Sequence, residues 1–96
     1  MSNYHLSPRA RIDLREIWRH SVDRWGTEQA KRYQLLLRQA IERIAADPRL
    51  GRSCENIRPG YRRYSAQAHM VFFRIGENGI DIIRVLHQSM DFPRHL

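Results

Sequence analysis

The sequence predicts an α+β fold in which a helical hairpin packs on a small, mainly antiparallel sheet. Two observations carry this prediction. The first half of the chain has apolar residues at helical spacing in two consecutive stretches, and the second half has three runs rich in aromatic and β-branched residues. The expected element order is β-α-α-β-β-β, with residues 1–96 forming a single domain.

The first elements are a short strand and a long helix. Asn3–Leu6 is brief and partly apolar, so it predicts a strand. Ser7 can cap the helix that follows, and Pro8 suits its first turn, where an N–H would have no partner. We expect Gly26 to end this helix. The apolar stripe that we expect to face the core comprises Ala10, Leu14, Ile17, Trp18, Val22 and Trp25.

A second helix follows almost at once. Thr27 can cap it, and Asp47-Pro48 ends it, because a residue before proline disfavours helical geometry. The short break between the two helices favours an antiparallel hairpin. The second apolar stripe comprises Ala30, Tyr33, Leu37, Ala40, Ile41 and Ile44.

The second half predicts a loop, three strands and a tail. Pro48–Arg58 has no periodicity and is expected to be a loop. The last strand is apolar on both faces, which is typical of a central strand. A short polar tail, Gln88–Leu96, is expected after it. The three predicted strands are Gly60–Ser65, His69–Ile75 and Ile80–His87.

Composition excludes several classes of protein. The net charge is +7, and Lys31 is the only lysine among 17 basic residues. No apolar stretch is long enough to cross a membrane, and no secretory signal is evident, so we expect a cytoplasmic protein that does not contact membranes. A single cysteine, Cys54, excludes internal disulfides. Because arginine binds carboxylate and phosphate with a planar fork of donors, we expect an anionic partner.

The most basic segment lies around the first long strand. Between residues 49 and 63 there are five arginines and one acid, Glu55; Tyr61 lies among the arginines and Tyr64 directly follows the last of them. Arginines interleaved with aromatic rings favour phosphate contact with stacking. The alternative is a solvated sheet face. Arg74 and Arg84 lie on the two strands that follow.

Catalytic and metal-binding signals are weak. The five histidines have no metal-ligand spacing, so we expect no metal and no cofactor. His87 is the best candidate for acid–base chemistry, since imidazole titrates near neutrality. Glu55 is the only carboxylate in the basic segment that could act with it. We therefore expect no catalysis, with His87 and Glu55 as the weak alternative.

Several motifs resemble the ParE branch of the RelE/ParE toxin superfamily. The likeness begins at Ser7-Pro8-Arg9-Ala10 and Ile17-Trp18. It continues through Arg58-Pro59-Gly60-Tyr61-Arg62-Arg63 and ends with Ile83–His87 and Arg94-His95-Leu96. It covers nearly the whole chain in order.

The resemblance implies a toxin of a type II toxin–antitoxin pair. ParE-branch toxins are known to poison DNA gyrase, so the implied activity is binding to gyrase, with DNA contact only through gyrase or antitoxin. The alternative is ribosome-dependent mRNA cleavage, as in the RelE branch, but arginine is a poor base and no lysine or late tyrosine is placed for it. The expected target-binding residues are Arg58, Tyr61, Arg62, Arg63, Arg74, Arg84, Met90 and Phe92.

The resemblance also implies a cognate ParD-like antitoxin. An acidic, amphipathic C-terminal antitoxin segment would complement this basic chain and fold on binding. The residues expected to contact it are Leu14, Trp18, Tyr33, Leu37, Ile41, Phe73 and Arg74.

Overall fold

The computed structural model describes residues 3–96, an α+β arrangement of five strands and three helices. Residues 1 and 2 of the predicted domain lie outside the described residues. The strands are β1 (Tyr4–Leu6), β2 (Arg52–Ser53), β3 (Arg62–Ala66), β4 (His69–Gly76) and β5 (Gly79–His87). The helices are α1 (Pro8–Trp25), α2 (Thr27–Ala46) and the short α3 (Phe92–His95).

The helical hairpin begins and turns where the sequence indicates. The Ser7 hydroxyl accepts a hydrogen bond from the Ala10 N–H at 3.0 Å and donates one to the Ile83 carbonyl at 2.7 Å. It therefore caps α1 and ties it to β5. Gly26 alone joins the helices, with a φ of 88° that glycine adopts without strain. The prediction that Thr27 caps α2 is wrong, because Gly26 holds the cap position and Thr27 is already helical.

The sheet has the order β1-β5-β4-β3-β2. Only β1 pairs in parallel, beside β5, and the remaining pairs are antiparallel. The prediction of a loop over Pro48–Arg58 is partly wrong: this segment contains a 3₁₀ turn, Pro48–Leu50, and the two-residue strand β2. A two-residue strand is too short for its alternation to be visible in sequence.

The main core lies between the hairpin and one face of the sheet. A register shift at Phe72/Phe73 places Ile83 of β5 as an extra residue between two paired positions. The shift lets both Ile82 and Val85 reach the same core. The fully buried side chains of this core include Leu37, Ile44, Phe73, Ile80 and Ile82.

A second, smaller core covers the opposite face of the sheet. It is built on Cys54, Phe72 and Leu86, and the C-terminal segment packs against it. The rings of Phe72 and Phe92 meet edge to face at 4.9 Å. The prediction of a polar tail is therefore wrong, since the apolar residues Met90, Phe92 and Leu96 of this segment pack on the sheet.

Candidate functional site

Two predicted target-binding arginines hold the C-terminal segment in place. Arg58 donates from Nε and Nη2 to the Leu96 carbonyl oxygen, at 3.2 and 2.6 Å. Arg84 donates from Nη1 to the His95 carbonyl at 2.8 Å. Because these donors are already paired, Arg58 and Arg84 stabilise the fold of the tail.

Arg84 also forms a buried ion pair that joins β5 to α1. Its Nε and Nη2 atoms lie 2.8 and 2.9 Å from the Asp13 carboxylate, which also accepts the Val85 N–H at 2.9 Å. The two side chains are only 11% and 8% exposed. The hydrogen bond to Asp13 raises the pKa of Arg84. We therefore remove Arg84 from the target-binding surface.

The remaining predicted target residues divide into buried and exposed ones. Arg62 donates to the Gly51 carbonyl at 2.8 Å, and its Nε is buried. Tyr61 packs against the second core, as do Met90 and Phe92. Only Arg63 and Arg74 keep guanidinium groups that make no hydrogen bond within the described residues, and Arg74 lies near Asp81 at 3.7 Å.

An arginine pair forms where β2 meets β3. Arg52 and Arg63 are direct partners in this antiparallel register, so their side chains leave the same face of the sheet. They line a groove of about 380 Å³ with Tyr64 and Met70. Two like charges directly opposite repel each other, and an anionic partner would relieve that repulsion. The sequence analysis did not single out Arg52, because β2 was not predicted.

Three of the seven predicted antitoxin-contacting residues line a groove between the hairpin and the sheet edge. This hairpin groove measures about 450 Å³. Its floor includes Leu14, Leu37 and Ile41 of the predicted set. It runs beside β1, an edge strand whose outer side has no strand partner among residues 3–96. Its full lining is Tyr4, Leu6, Leu14, Lys31, Gln34, Leu35, Leu37, Arg38 and Ile41.

Four predicted antitoxin-contacting residues lie away from the open part of this groove, and one of them, Arg74, is an exposed residue of β4 that does not line it. Phe73 is fully buried in the main core, so it can contact no partner in this conformation. Trp18 is half-buried between the helices. Tyr33 faces a different groove, described next.

A second groove, lined by three histidines, lies between α1, the β3–β4 turn and the end of β5. This histidine groove has a volume of about 550 Å³. Neighbouring rings follow one another along it, with centroids 6.5, 6.4, 5.5 and 5.3 Å apart. In order these rings are His20, Trp25, Tyr33, His69 and His87. Trp25, expected in the core, is 53% exposed here.

Tyr33 and His69 are joined at the base of the histidine groove. The Tyr33 oxygen accepts the Ala68 N–H at 3.1 Å and lies 2.6 Å from His69 Nδ1. We assign the tyrosine proton to the bond with Nδ1, because the hydroxyl has no other acceptor among the described residues; neutral His69 then carries its proton on Nε2. Burial, with further lowering by His87 and His20, reduces the pKa of His69 to about 4. Burial raises the pKa of Tyr33.

The weak catalytic candidates His87 and Glu55 are not joined. Glu55 accepts the Gly60 N–H at 3.0 Å within its own loop. His87 Nδ1 lies 2.7 Å from the Ser89 hydroxyl and accepts the Ser89 N–H at 3.1 Å. No hydrogen bond links His87 with Glu55 among the described residues, so the structure gives no acid–base pair at these positions.

Residues 3–96 contain neither a metal-binding cluster nor a membrane-spanning helix. No group of three His, Cys, Asp or Glu side chains in this range is arranged to hold a metal ion. No helix in this part of the chain combines the length and the apolar character needed to span a bilayer.

The fold and its grooves define a small α+β domain with two open grooves and a pair of facing arginines. A family model described as the ParE toxin of the type II toxin–antitoxin system parDE matches residues 4–92. This chain belongs to the ParE toxin family.

Curated relatives agree with this assignment, and a solved structure shares the fold. The chain is 54% identical to Toxin ParE1 of Mycobacterium tuberculosis, over 99% of this chain and 98% of that one. It is 50% identical to Toxin ParE1 of Caulobacter vibrioides, over 100% and 99%. A structure titled the chromosomal ParDE TA system from P. aeruginosa has the same fold, with a TM-score of 0.78 at 21% identity, covering 91% of this chain and 96% of that one.

Proposed function

We propose that this ParE toxin acts in the cytoplasm by binding DNA gyrase and blocking replication, without chemistry of its own. The observation that carries the proposal is the family membership over residues 4–92, since the ParE branch is the gyrase-poisoning branch of its superfamily. The separation of His87 and Glu55 into different hydrogen-bond networks supports a binding mechanism.

We place the gyrase contact at the arginine pair, Arg52 and Arg63, with Arg74 nearby on the sheet. Arg52 and Arg63 are directly opposite in the register of β2 and β3, and Arg74 is 58% exposed. Positive charge at these positions would contact acidic side chains of gyrase or the phosphates of the DNA that gyrase holds. Arg58, Arg62 and Arg84 are left out, because they are paired within the fold.

We place the antitoxin segment in the hairpin groove. Among its leucines, Leu35 is 52% exposed, and Lys31 and Arg38 give the groove a basic rim. An amphipathic helix would bury the leucines, and its acidic side chains would pair with the rim. The open edge of β1 adds backbone donors and acceptors for an extended segment.

A gyrase supercoiling and cleavage assay tests the proposal, with ribosome-programmed mRNA cleavage run beside it. We expect linear plasmid to accumulate with the wild-type chain, while the mRNA stays intact. A double Arg52→Ser, Arg63→Ser variant should lose at least about tenfold in potency. The control, Arg19→Ser with Arg49→Ser, removes the same charge from exposed positions.

Three results would contradict this assignment. Cut mRNA with unaffected gyrase would replace binding by the nuclease alternative. Unchanged gyrase would exclude gyrase as the target. Equal loss of potency in the Arg52/Arg63 variant and in its control would show that net charge, and not the arginine pair, makes the contact.

A further inference from the structure

We propose that the histidine groove binds one unpaired base of a single-stranded nucleic acid, stacked against its ring system. This site is separate from the arginine pair and from the hairpin groove, and the proposal does not depend on gyrase being the target. The groove's volume of about 550 Å³ lies in the range of small-ligand sites and leaves room for a base and its sugar.

The ring system provides the stacking surface. Trp25 is 53% exposed, and its ring centroid lies 6.4 Å from that of Tyr33. The Tyr33 ring cannot turn away freely, because its oxygen is hydrogen-bonded to both Ala68 and His69. Rigid aromatic faces are the feature that sequence-tolerant single-strand binding uses, because every base has a π-face.

Two imidazoles provide hydrogen-bond donors beside this surface. His87 Nδ1 accepts the Ser89 N–H, and His69 Nδ1 is assigned as the acceptor of the Tyr33 hydroxyl. Their neutral forms therefore carry the proton on Nε2, which has no protein partner in the described residues. The two rings are adjacent, with centroids 5.3 Å apart, so both N–H groups are available to carbonyl or ring-nitrogen acceptors on a base edge.

The charges at the groove suit a neutral base with its phosphates outside. Asp13 and Arg84 neutralise each other in their buried ion pair. Glu16 and Arg24 contribute one charge of each sign to the lining, and Arg24 lies over the Trp25 ring at 5.9 Å. The groove itself therefore attracts no anion, whereas the net charge of +7 on the whole chain attracts the phosphate backbone.

Tryptophan fluorescence of the full chain tests this proposal. A Trp18→Phe background leaves Trp25 as the only tryptophan, and the probes are six-nucleotide oligo-dT and oligo-U at low salt. We expect both to quench Trp25 on binding, and comparison of the two shows whether the sugar is read. An abasic oligonucleotide of the same length has the same backbone charge, and we expect it to bind about 10- to 100-fold more weakly.

Two substitutions and one control locate the contact. These variants keep Trp18, and their binding is measured by the fluorescence anisotropy of labelled oligo-dT. Trp25→Ala and His87→Ala should each weaken binding. For Trp25→Ala we expect a loss of about 10-fold or more. His5→Ala, on the exposed face of β1, should leave it unchanged. Circular dichroism checks that each variant is folded, and because Trp25 and His87 are both exposed, their loss removes little core packing.

Three results would overturn the proposal that the histidine groove binds a base. Equal affinity for the abasic and the intact oligonucleotide would mean that only the backbone is bound. Binding that survives both Trp25→Ala and His87→Ala would place the nucleic acid elsewhere. Absence of binding at low salt would leave the groove to an aromatic side chain of a protein partner and exclude the nucleic-acid assignment.

Discussion

Breaking the ion pair between Asp13 and Arg84 from one side should be among the most destabilising single substitutions in this fold. Asp13→Ala removes both Arg84–carboxylate bonds and the bond to the Val85 N–H. It leaves a guanidinium group that is 11% exposed without its counter-charge, and a buried backbone donor without an acceptor. Removing one partner of a buried pair costs about 3–5 kcal/mol, because the other charge remains desolvated.

That cost is large for a domain of this size. Domains of this kind are stable by about 5–15 kcal/mol, so the substitution should remove about a fifth or more of the free energy of unfolding. With a urea dependence of about 1.3 kcal/mol per M, the midpoint of unfolding should fall by about 3 M. Asp23→Ala, an exposed acid on the same helix, is the control and should change the midpoint by less than about 0.4 M.

A double variant separates the ion pair from simple loss of a side chain. Asp13→Leu combined with Arg84→Met removes both charges and replaces them with apolar groups of similar size. We expect it to be more stable than Asp13→Ala alone, because no buried charge is left unpaired. An Asp13→Ala cost below about 1 kcal/mol, or strict additivity of the two single substitutions, would refute this reasoning.

Two further predictions concern His69 and Gly51. Folding lowers the pKa of His69 from 6.5 to about 4, so between these pH values the unfolded chain binds a proton that the folded chain does not. The free energy of unfolding should therefore fall by about 2 kcal/mol as the pH drops from 6.5 to 4. Urea unfolding at several pH values measures this slope, which His69→Gln should flatten; an equal slope in that variant would contradict the assignment. Gly51→Ala should cost about 1–3 kcal/mol, since its Cβ would collide with the buried ring of Phe73. A thermal melt measures it, and unchanged stability would show that the ring can move aside.

The sequence predicted the elements that repeat a pattern over several turns or strand pairs. Both long helices, the cap at Ser7 and the turn at Gly26 follow from local chemistry and were predicted to within a residue or two. The element β2 was missed, because two residues carry no alternation, and so the facing position of Arg52 was missed with it. The apolar role of the C-terminal segment depends on Phe72, which lies twenty residues away in sequence from Phe92.

The histidine groove could not be predicted, because its members come from five separate places in the chain. Each histidine taken alone is more often a surface or backbone-bonded residue than part of a site. What identifies the groove is that three histidines distant in sequence line it together: His20 on α1, His69 after the β3–β4 turn and His87 at the end of β5. Helical spacing placed Trp25 in the apolar stripe, but its position at the last residue of α1 turns it outward.

The arginines show why composition overstated the binding surface of this protein. A net charge of +7 suggested that basic side chains are there to meet an anion. Arg58 and Arg84 instead donate to backbone carbonyls in the C-terminal segment, where the fixed fork of a guanidinium group can bond two acceptors at once. Lysine offers no such fork. The strong preference for arginine over lysine is therefore consistent with hydrogen bonds inside the fold as well as with binding of an anionic partner. The target surface that we propose is therefore limited to guanidinium groups without a hydrogen-bond partner among residues 3–96, at Arg52 and Arg63 first.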